Sequence, residues 1–408
     1  MKRLTVLYAG WGEQWPLGTL ADNGKELLFE YSPTALQQGL ELSPLHVKLR
    51  PQAYGGFPAH LQRLPGFIAD ALPDGWGMLL MDRLFRKNGR APESMSPLER
   101  LAFISGHGMG ALSFEPADPL ELATEDVHLL HLAQEARAVI AGKDSEALQQ
   151  LALMGGSPHG ARPKVLVYYD KKTGAMSTVP TAAGVPWLVK FQAQNEHKEV
   201  CALEALYADL ARACLLDMPE TRAFDLDRSL GAFGIERFDV ERGMRVPVLT
   251  LAGLMHADFR MPSVSYAEFL RVTRFLTRDE REVQKAFERA VFNVLFNNRD
   301  DHSKNFSYRL GEDRQWRLAP CYDLNFNIGP GGEHQMDVCG EGRNITRAHL
   351  LALARQGGVS LPSAEKCIDH QMAQAAALPM TAKGRGIRSA TLKHVSAAVE
   401  ANRQRLAA

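Results

Sequence analysis

The sequence predicts an α+β fold in two lobes, a β-rich part followed by a mostly helical one. Three observations carry this. Short apolar, β-branched runs separated by turn residues fill the first fifty positions and return between residues 163 and 240. After Leu249 the apolar residues fall instead at helical spacing. At 408 residues, the chain exceeds what one small core holds, so two or three packed units are expected. The boundaries read from the chain are 1–118 for an N-terminal β-rich subdomain with helices, 119–243 for a lobe with a glycine-bearing loop, and 244–408 for a helical lobe.

In chain order, "RLTVLYAG", "KELLFEYS" after the Asn23-Gly24 turn signal, and "LHVKLRP" read as strands. Ile68, Leu72, Leu79, Leu80 and Leu84 then recur at helical spacing, with Gly89 placed to end the helix. Prolines and acids in "SFEPADPLELATEDV" interrupt the periodicity, and a linker is expected near Pro116 to Pro119. The helical "LLHLAQEARAVIAG" follows. "PKVLVYYD", "VPWLVKFQA" and "FGIERFDV" read as strands, with the helix "VCALEALYADLARACLL" between the last two. "YAEFLRVTRFL" and "DEREVQKAFERAVFNVLFNN" are amphipathic helices, and "QWRLAPCYDL" is strand-like.

Composition narrows the classes. Lys+Arg 47 balances Asp+Glu 47, so charge gives no reason to expect direct nucleic-acid binding. The five cysteines are scattered without a C-x-x-C pair, and no secretory segment opens the chain, which points to a reducing, cytoplasmic setting. No apolar run approaches the roughly 18 to 20 residues of a membrane span, so no membrane insertion is expected.

The stretch "NNRDDHSKNFS" packs two acids, one His, one Lys and three Asn into eleven residues, and a long amphipathic helix runs directly into its Arg299-Asp300. Asp300 and Asn305 in it have the spacing D-x-x-x-x-N. In protein kinases the loop H-R-D-x-x-x-x-N uses its Asp to accept the acceptor hydroxyl's proton and its Asn to hold Mg²⁺. Here Arg299 and the spacing are kept, and Asn298 stands where that motif has His. Lys304 lies where a cation would neutralise a transferring phosphoryl group. Twenty-three residues after Asp300, Asp323 in "APCYDL" matches the Asp of D-F-G. One carboxylate, one amide oxygen and nucleotide phosphates make a sufficient Mg²⁺ shell.

Upstream, Lys190 in the strand-like "WLVKF" has the address of a phosphate-binding lysine, and Glu204 on the following helix that of its acidic partner. "MGGSPHGARPKVLV" is a glycine-bearing turn between a helix and a strand, suited to presenting N–H groups to phosphates. "GIERFDV" falls in order where a hinge would offer backbone atoms to adenine. Plainer readings stand beside these. Asp300, His302 and Asn305 suit a helix end and its turn, and Glu204 suits the positive end of a helix dipole. "SGHGMGALSF" reads as a tight turn, since no ribose-binding acid follows it.

Together "LPDGWG", "GARPK", "ERFD", "D-x-H-x-K-N-F" and "YDL" resemble a HipA-type serine/threonine kinase, the toxin of a type II toxin–antitoxin pair, over most of the chain. The resemblance implies a two-lobed protein-kinase-like fold, ATP and Mg²⁺ as cofactors, and phosphorylation of a protein substrate, a translation factor or aminoacyl-tRNA synthetase. It implies Asp300 as catalytic base with Lys304 beside it, and Asn305 and Asp323 as metal ligands. Lys190 and Glu204 belong to the nucleotide site, with Glu236 and Phe238 contacting adenine through main-chain atoms. Ser157, His159 and Gly160 lie in the nucleotide loop, and Ser157 is the expected autophosphorylation site. His159 departs from the pattern, where many relatives carry Gly. A small helix-turn-helix antitoxin (HipB-like) is the implied partner, with DNA reached only through it. Two alternatives stay open: a metal-dependent hydrolase built on Asp300, Asp301, His302 and Asp323, and a non-toxic interaction protein that keeps the fold.

Overall fold

The computed structural model describes residues 1–120, 126–155 and 160–408. Arg3–Tyr8, Trp15–Asp22 and Leu27–Tyr31 pair antiparallel, and Ala53–Tyr54 and Leu112–Glu115 complete the two edges of this five-stranded sheet. The middle strand was absent from the sequence expectation because Pro16 and Gly18 lie within it. Both are explained by neighbours. The register with the first strand shifts where Leu7 faces Pro16, and such an irregularity is where a strand tolerates proline. Gly18 lies under the Phe29 ring, whose carbons would sit 2.7 Å from any Cβ there. Conversely, "LHVKLRP" is not a strand and holds only the isolated bridge Ser43–Val47. Val47 is buried as a strand residue would be, but its carbonyl accepts from the Tyr31 hydroxyl at 2.8 Å. Glu41 takes the Leu49 N–H at 2.9 Å, so side chains replace a ladder.

A second five-stranded sheet runs Met176–Ser177, Lys164–Tyr169, Val185–Phe191, Gly231–Glu236, Thr221–Asp225. Its side chains alternate by face. Val165, Val167, Tyr169, Trp187, Val189, Phe191 and Ala232 bury against three helices: Gly75–Lys87 through Trp76, Leu80 and Leu84, Leu129–Ile140 through Leu132, Ala136 and Val139, and Leu148–Gly155 through Leu151. Lys164 and Lys190 point to the opposite face.

The chain divides into two compact units, residues 1–198, 222–249 and 253–256 in one, and 199–221, 250–252 and 257–408 in the other. The second is mostly helical. At its centre Glu280–Leu295 packs against Tyr266–Thr277, Arg347–Gly357, Leu361–Ala376 and Ser389–Ala407. Val283, Ala286, Phe287, Ala290, Val291 and Val294 form its buried stripe at helical spacing. Ser307–Leu310 and Trp316–Leu318 form a hairpin, which Glu282 grips by accepting the Leu318 N–H at 2.8 Å. The expected α+β class, β-rich first and helical last, is the one observed. Among the described residues, no helix is long and apolar enough to cross a membrane.

Candidate functional site

The helix Glu280–Leu295 delivers the polar loop. Asp279 caps its start by accepting the Arg281 N–H at 2.9 Å. At its end, Tyr207 donates its hydroxyl to the Phe296 carbonyl at 2.6 Å, and Asn402 donates to the carbonyls of Val294 and Leu295 at 3.0 and 3.3 Å. With those carbonyls satisfied, Asn297 turns the chain at φ 56, a conformation Asn adopts more readily than most residues.

The two adjacent acids that follow have different surroundings. The Asp300 side chain is 53% exposed, with His302 Nε2 at 3.8 Å from its Oδ1. Asp301 is buried and accepts from the Tyr266 hydroxyl at 2.6 Å, from His334 Nδ1 at 2.7 Å and from the Gln335 N–H at 2.8 Å. Burial and the Asp301 charge push the Tyr266 hydroxyl's pKa far above the ordinary tyrosine value, so it stays a donor. Asn293 donates to the Tyr266 oxygen and accepts from Asn298, both at 2.9 Å, so the network reaches back into the helix. Asn298 thus fills a supporting place. Asn305 donates its amide to the Asp300 carbonyl at 2.7 Å, which fixes the amide plane and leaves Oδ1 as its acceptor atom. The Lys304 ammonium lies 4.7 Å from the centre of the Phe259 ring, and the same ring packs 5.3 Å from His302.

Asp323 sits at φ 56, another left-handed position that Asp tolerates. The loop bearing Asp300 and Asn305 is stitched to the segment bearing Asp323 on both sides. On one side the Tyr322 hydroxyl donates to the Lys304 carbonyl at 2.7 Å. On the other, the Asn327 N–H donates to the Asn297 carbonyl at 3.0 Å, while the Asn327 carbonyl accepts from the Asn297 amide at 3.0 Å and the Arg299 N–H at 3.3 Å. Arg299 also donates to carbonyls of Ile328, Gly332 and Arg343, holding the chain that follows. Among the described residues, no three His, Cys, Asp or Glu side chains cluster as metal ligands. Asn305 and Asp323 offer a smaller, all-oxygen donor set, which suits a hard cation that keeps its own waters.

In the other unit, Lys190 pairs across the ladder with Lys164 on one side and Phe233 on the other. Both lysines are buried, and the Lys190 ammonium lies 5.9 Å from the Phe233 ring centre. Two cations directly opposite each other favour anions on that face. Gly160, at φ 102, precedes them, and a Cβ there would collide with the Lys164 ammonium. This segment is held from beneath by "LPDGWG". Asp74 accepts the Gly160 N–H, Trp76 N–H donates to the Gly160 carbonyl at 3.1 Å, and Trp76 Nε1 donates to the Lys164 carbonyl at 2.9 Å. Ser157 and His159 lie outside the described residues.

Glu236 turns its carboxylate to Lys171 at 2.7 Å. The next residues explain "ERFD". Arg237 donates twice to buried Asp239, at 2.9 and 2.7 Å, and Asp239 also accepts the Gly110 N–H at 2.8 Å. Burial alone would raise the Asp239 pKa, but the Arg237 guanidinium and these bonds hold it below the ordinary carboxylate value. Arg245 donates to the carbonyls of Gly108, Gly110 and Leu112. "SGHGMG" is therefore a turn clamped to the segment after Glu236. Glu204 is buried on the helix Glu199–Ala213, in the other unit from Lys190.

Sequence reasoning gave no role to Asp74, Trp76, Lys164 and Tyr322, although they stand in "LPDGWG", "GARPK" and "YDL", and it missed Asn327. Lys164 carried a usable signal, a lysine opening an apolar strand run with period-2 alternation. The others act through backbone atoms distant in sequence.

A family model described as the HipA-like C-terminal domain matches residues 156–378, more than half of the chain, and one described as the HipA N-terminal domain matches 9–115. The chain belongs to the HipA family. A solved HipA from Shewanella oneidensis MR-1, determined in a toxin–antitoxin complex with HipB and operator DNA, shares the fold. It superposes with a TM-score of 0.72 over 99% of this chain and 97% of that one, at 18% identity. A Sinorhizobium fredii protein named "Putative kinase Y4mE" is 33% identical over 100 residues, so the aligned part spans only 23% of this chain and 23% of that relative. The HipA C-terminal match contains Lys164, Lys190, Asp300, Asn305, Tyr322 and Asp323, whereas Asp74 and Trp76 fall in the HipA N-terminal match.

Proposed function

We propose that this HipA-family protein is an ATP- and Mg²⁺-dependent kinase that transfers the γ-phosphoryl group to a serine or threonine hydroxyl of a protein. The observation that carries the reading is the pair of stitched loops. They hold an exposed carboxylate, Asp300, and two oxygen donors, Asn305 Oδ1 and Asp323, on backbone fixed from both sides. Asp300 takes the acceptor hydroxyl's proton as its oxygen attacks the γ-phosphorus, and the bond from that phosphorus to the β–γ bridging oxygen breaks to release ADP. Asn305 and Asp323 would hold Mg²⁺, which when bound offsets the charge of the phosphates. Lys190 and Lys164 bind and orient those phosphates, and Lys304 supplies a cation for the transferring group. Backbone atoms of Glu236 and Phe238 receive the adenine, with the Arg237–Asp239 pair keeping that stretch rigid. The hydrolase alternative loses one of its carboxylates, because Asp301 is committed to Tyr266, His334 and Gln335.

Calorimetry with a non-hydrolysable ATP analogue tests the reading: binding should require Mg²⁺, and equal affinity in chelator would refute the two-ligand assignment. The family membership supports a toxin role with a small helix-turn-helix antitoxin as partner and a translation protein, such as an aminoacyl-tRNA synthetase, as substrate. Expression alone should then halt growth, and co-expression with such a partner should restore it. Ser157 is proposed as an autophosphorylation site; mass spectrometry after incubation with Mg·ATP should find phosphate there, and none in Asp300→Asn protein.

A further inference from the structure

We propose that Tyr322 is a positioning residue whose hydroxyl sets the spacing between Asn305 and Asp323. The catalytic consequence rests on the kinase reading; the structural coupling does not. The Tyr322 oxygen lies 2.7 Å from the Lys304 carbonyl and 2.6 Å from Ser307 Oγ. A carbonyl only accepts, so the tyrosine proton goes to Lys304, and Ser307 must donate to the tyrosine oxygen. A directed relay results, Ser307 to Tyr322 to Lys304.

The positions of its ends give this relay its importance. The Lys304 carbonyl belongs to the peptide unit that continues into Asn305, and the N–H of that same unit donates to the His302 carbonyl at 2.9 Å. Tyr322 immediately precedes Asp323. One hydrogen bond therefore joins the peptide leading into one oxygen donor to the residue adjoining the other. The backbone on the tyrosine side is itself fixed, with the Ala319 N–H on the Ser307 carbonyl at 2.8 Å and the Cys321 N–H on the Asp217 carbonyl at 2.7 Å. Removing the hydroxyl would take away the link between the two segments. A pair of ligands sharing one cation responds steeply to such a change, and loss of an outer hydrogen-bonding partner typically weakens metal affinity or activity by about ten- to a hundredfold.

The test is Tyr322→Phe, read in two ways. In nucleotide-free protein, amide hydrogen exchange at residues 304–306 should speed up while the helix Glu280–Leu295 keeps its protection. With nucleotide, the Mg²⁺ concentration for half-maximal binding should rise by about tenfold or more. Ser307→Ala keeps the bond to Lys304, so it should shift both readouts the same way but less, and should add nothing to Tyr322→Phe; it also serves if the tyrosine variant does not fold. Unchanged exchange at 304–306 in a folded Tyr322→Phe variant would overturn the proposal. Faster exchange with an unchanged Mg²⁺ requirement would overturn its link to the metal ligands. Wild-type protein that binds nucleotide equally well without Mg²⁺ would refute the kinase reading and that link together, while the exchange result still decides the coupling.

Discussion

Asp300 and Asp301 carry the same group on consecutive residues, one exposed and the other buried in a hydrogen-bond network. Asp300→Asn keeps the shape but cannot take a proton, so phosphoryl transfer should fall by roughly a hundredfold to ten-thousandfold while Mg·ATP affinity is retained. Asp323→Asn should instead weaken Mg·ATP binding as well, which calorimetry separates from the rate. Asp301→Asn replaces an acceptor-only group within a buried network and should cost about 1–3 kcal/mol of stability in denaturant titration. The D-x-x-x-x-N spacing singles out Asp300, but nothing in the sequence shows what Asp301 holds, because Tyr266 and His334 each lie more than thirty residues away. A histidine shows the same dependence on surroundings. His256 Nε2 accepts the Gly66 N–H at 3.0 Å, its ring stacks on His46 at 4.1 Å, and its carbonyl lies 2.9 Å from His60 Nε2. Burial first, then His46 and His60, lower its pKa from 6.5 to about 4. The folded state thus favours the neutral ring. Its contribution to stability should be full above about pH 6.5 and should be lost as pH falls towards 4. His256→Gln, whose amide oxygen can accept from Gly66 without titrating, should flatten that fall in a Tm-against-pH series.

Among the elements, the helix Glu280–Leu295 was legible because its buried stripe repeats at helical spacing and Asp279 marks its start. Its termination was not, since Tyr207 and Asn402 satisfy its last carbonyls from distant parts of the chain. Asn402→Ala would leave the Val294 and Leu295 carbonyls short of a donor and should cost about 1–3 kcal/mol, measured by chemical denaturation. The strand Trp15–Asp22 was illegible for the opposite reason. Pro16 and Gly18 break strands by their intrinsic preferences, and only a register shift and the Phe29 ring make them fit. The loop after the central helix was singled out by its D-x-x-x-x-N spacing, yet its second support, Asn327, could not be found without knowing which backbone it meets.

For the whole molecule, each compact unit should lose its structure in a separate calorimetric transition. Asp239→Asn should lower the transition of the first unit and Asp301→Asn that of the second; a single transition moved by both would contradict this. The family matches divide the sequence differently, breaking between residues 115 and 156. Trp76 shows why that break is not a place to cut. Its indole fills the core beneath the strand Lys164–Tyr169 and its nitrogens hold the Gly160 and Lys164 carbonyls, so an N-terminal element supplies part of the floor of a C-terminal sheet. A fragment beginning at residue 156 would carry every proposed catalytic group and still lack that floor. Recognisable sequence modules and autonomous folding units are therefore different things in this protein, and a minimal version trimmed to the C-terminal match should be recovered aggregated, whereas one retaining the N-terminal region should not.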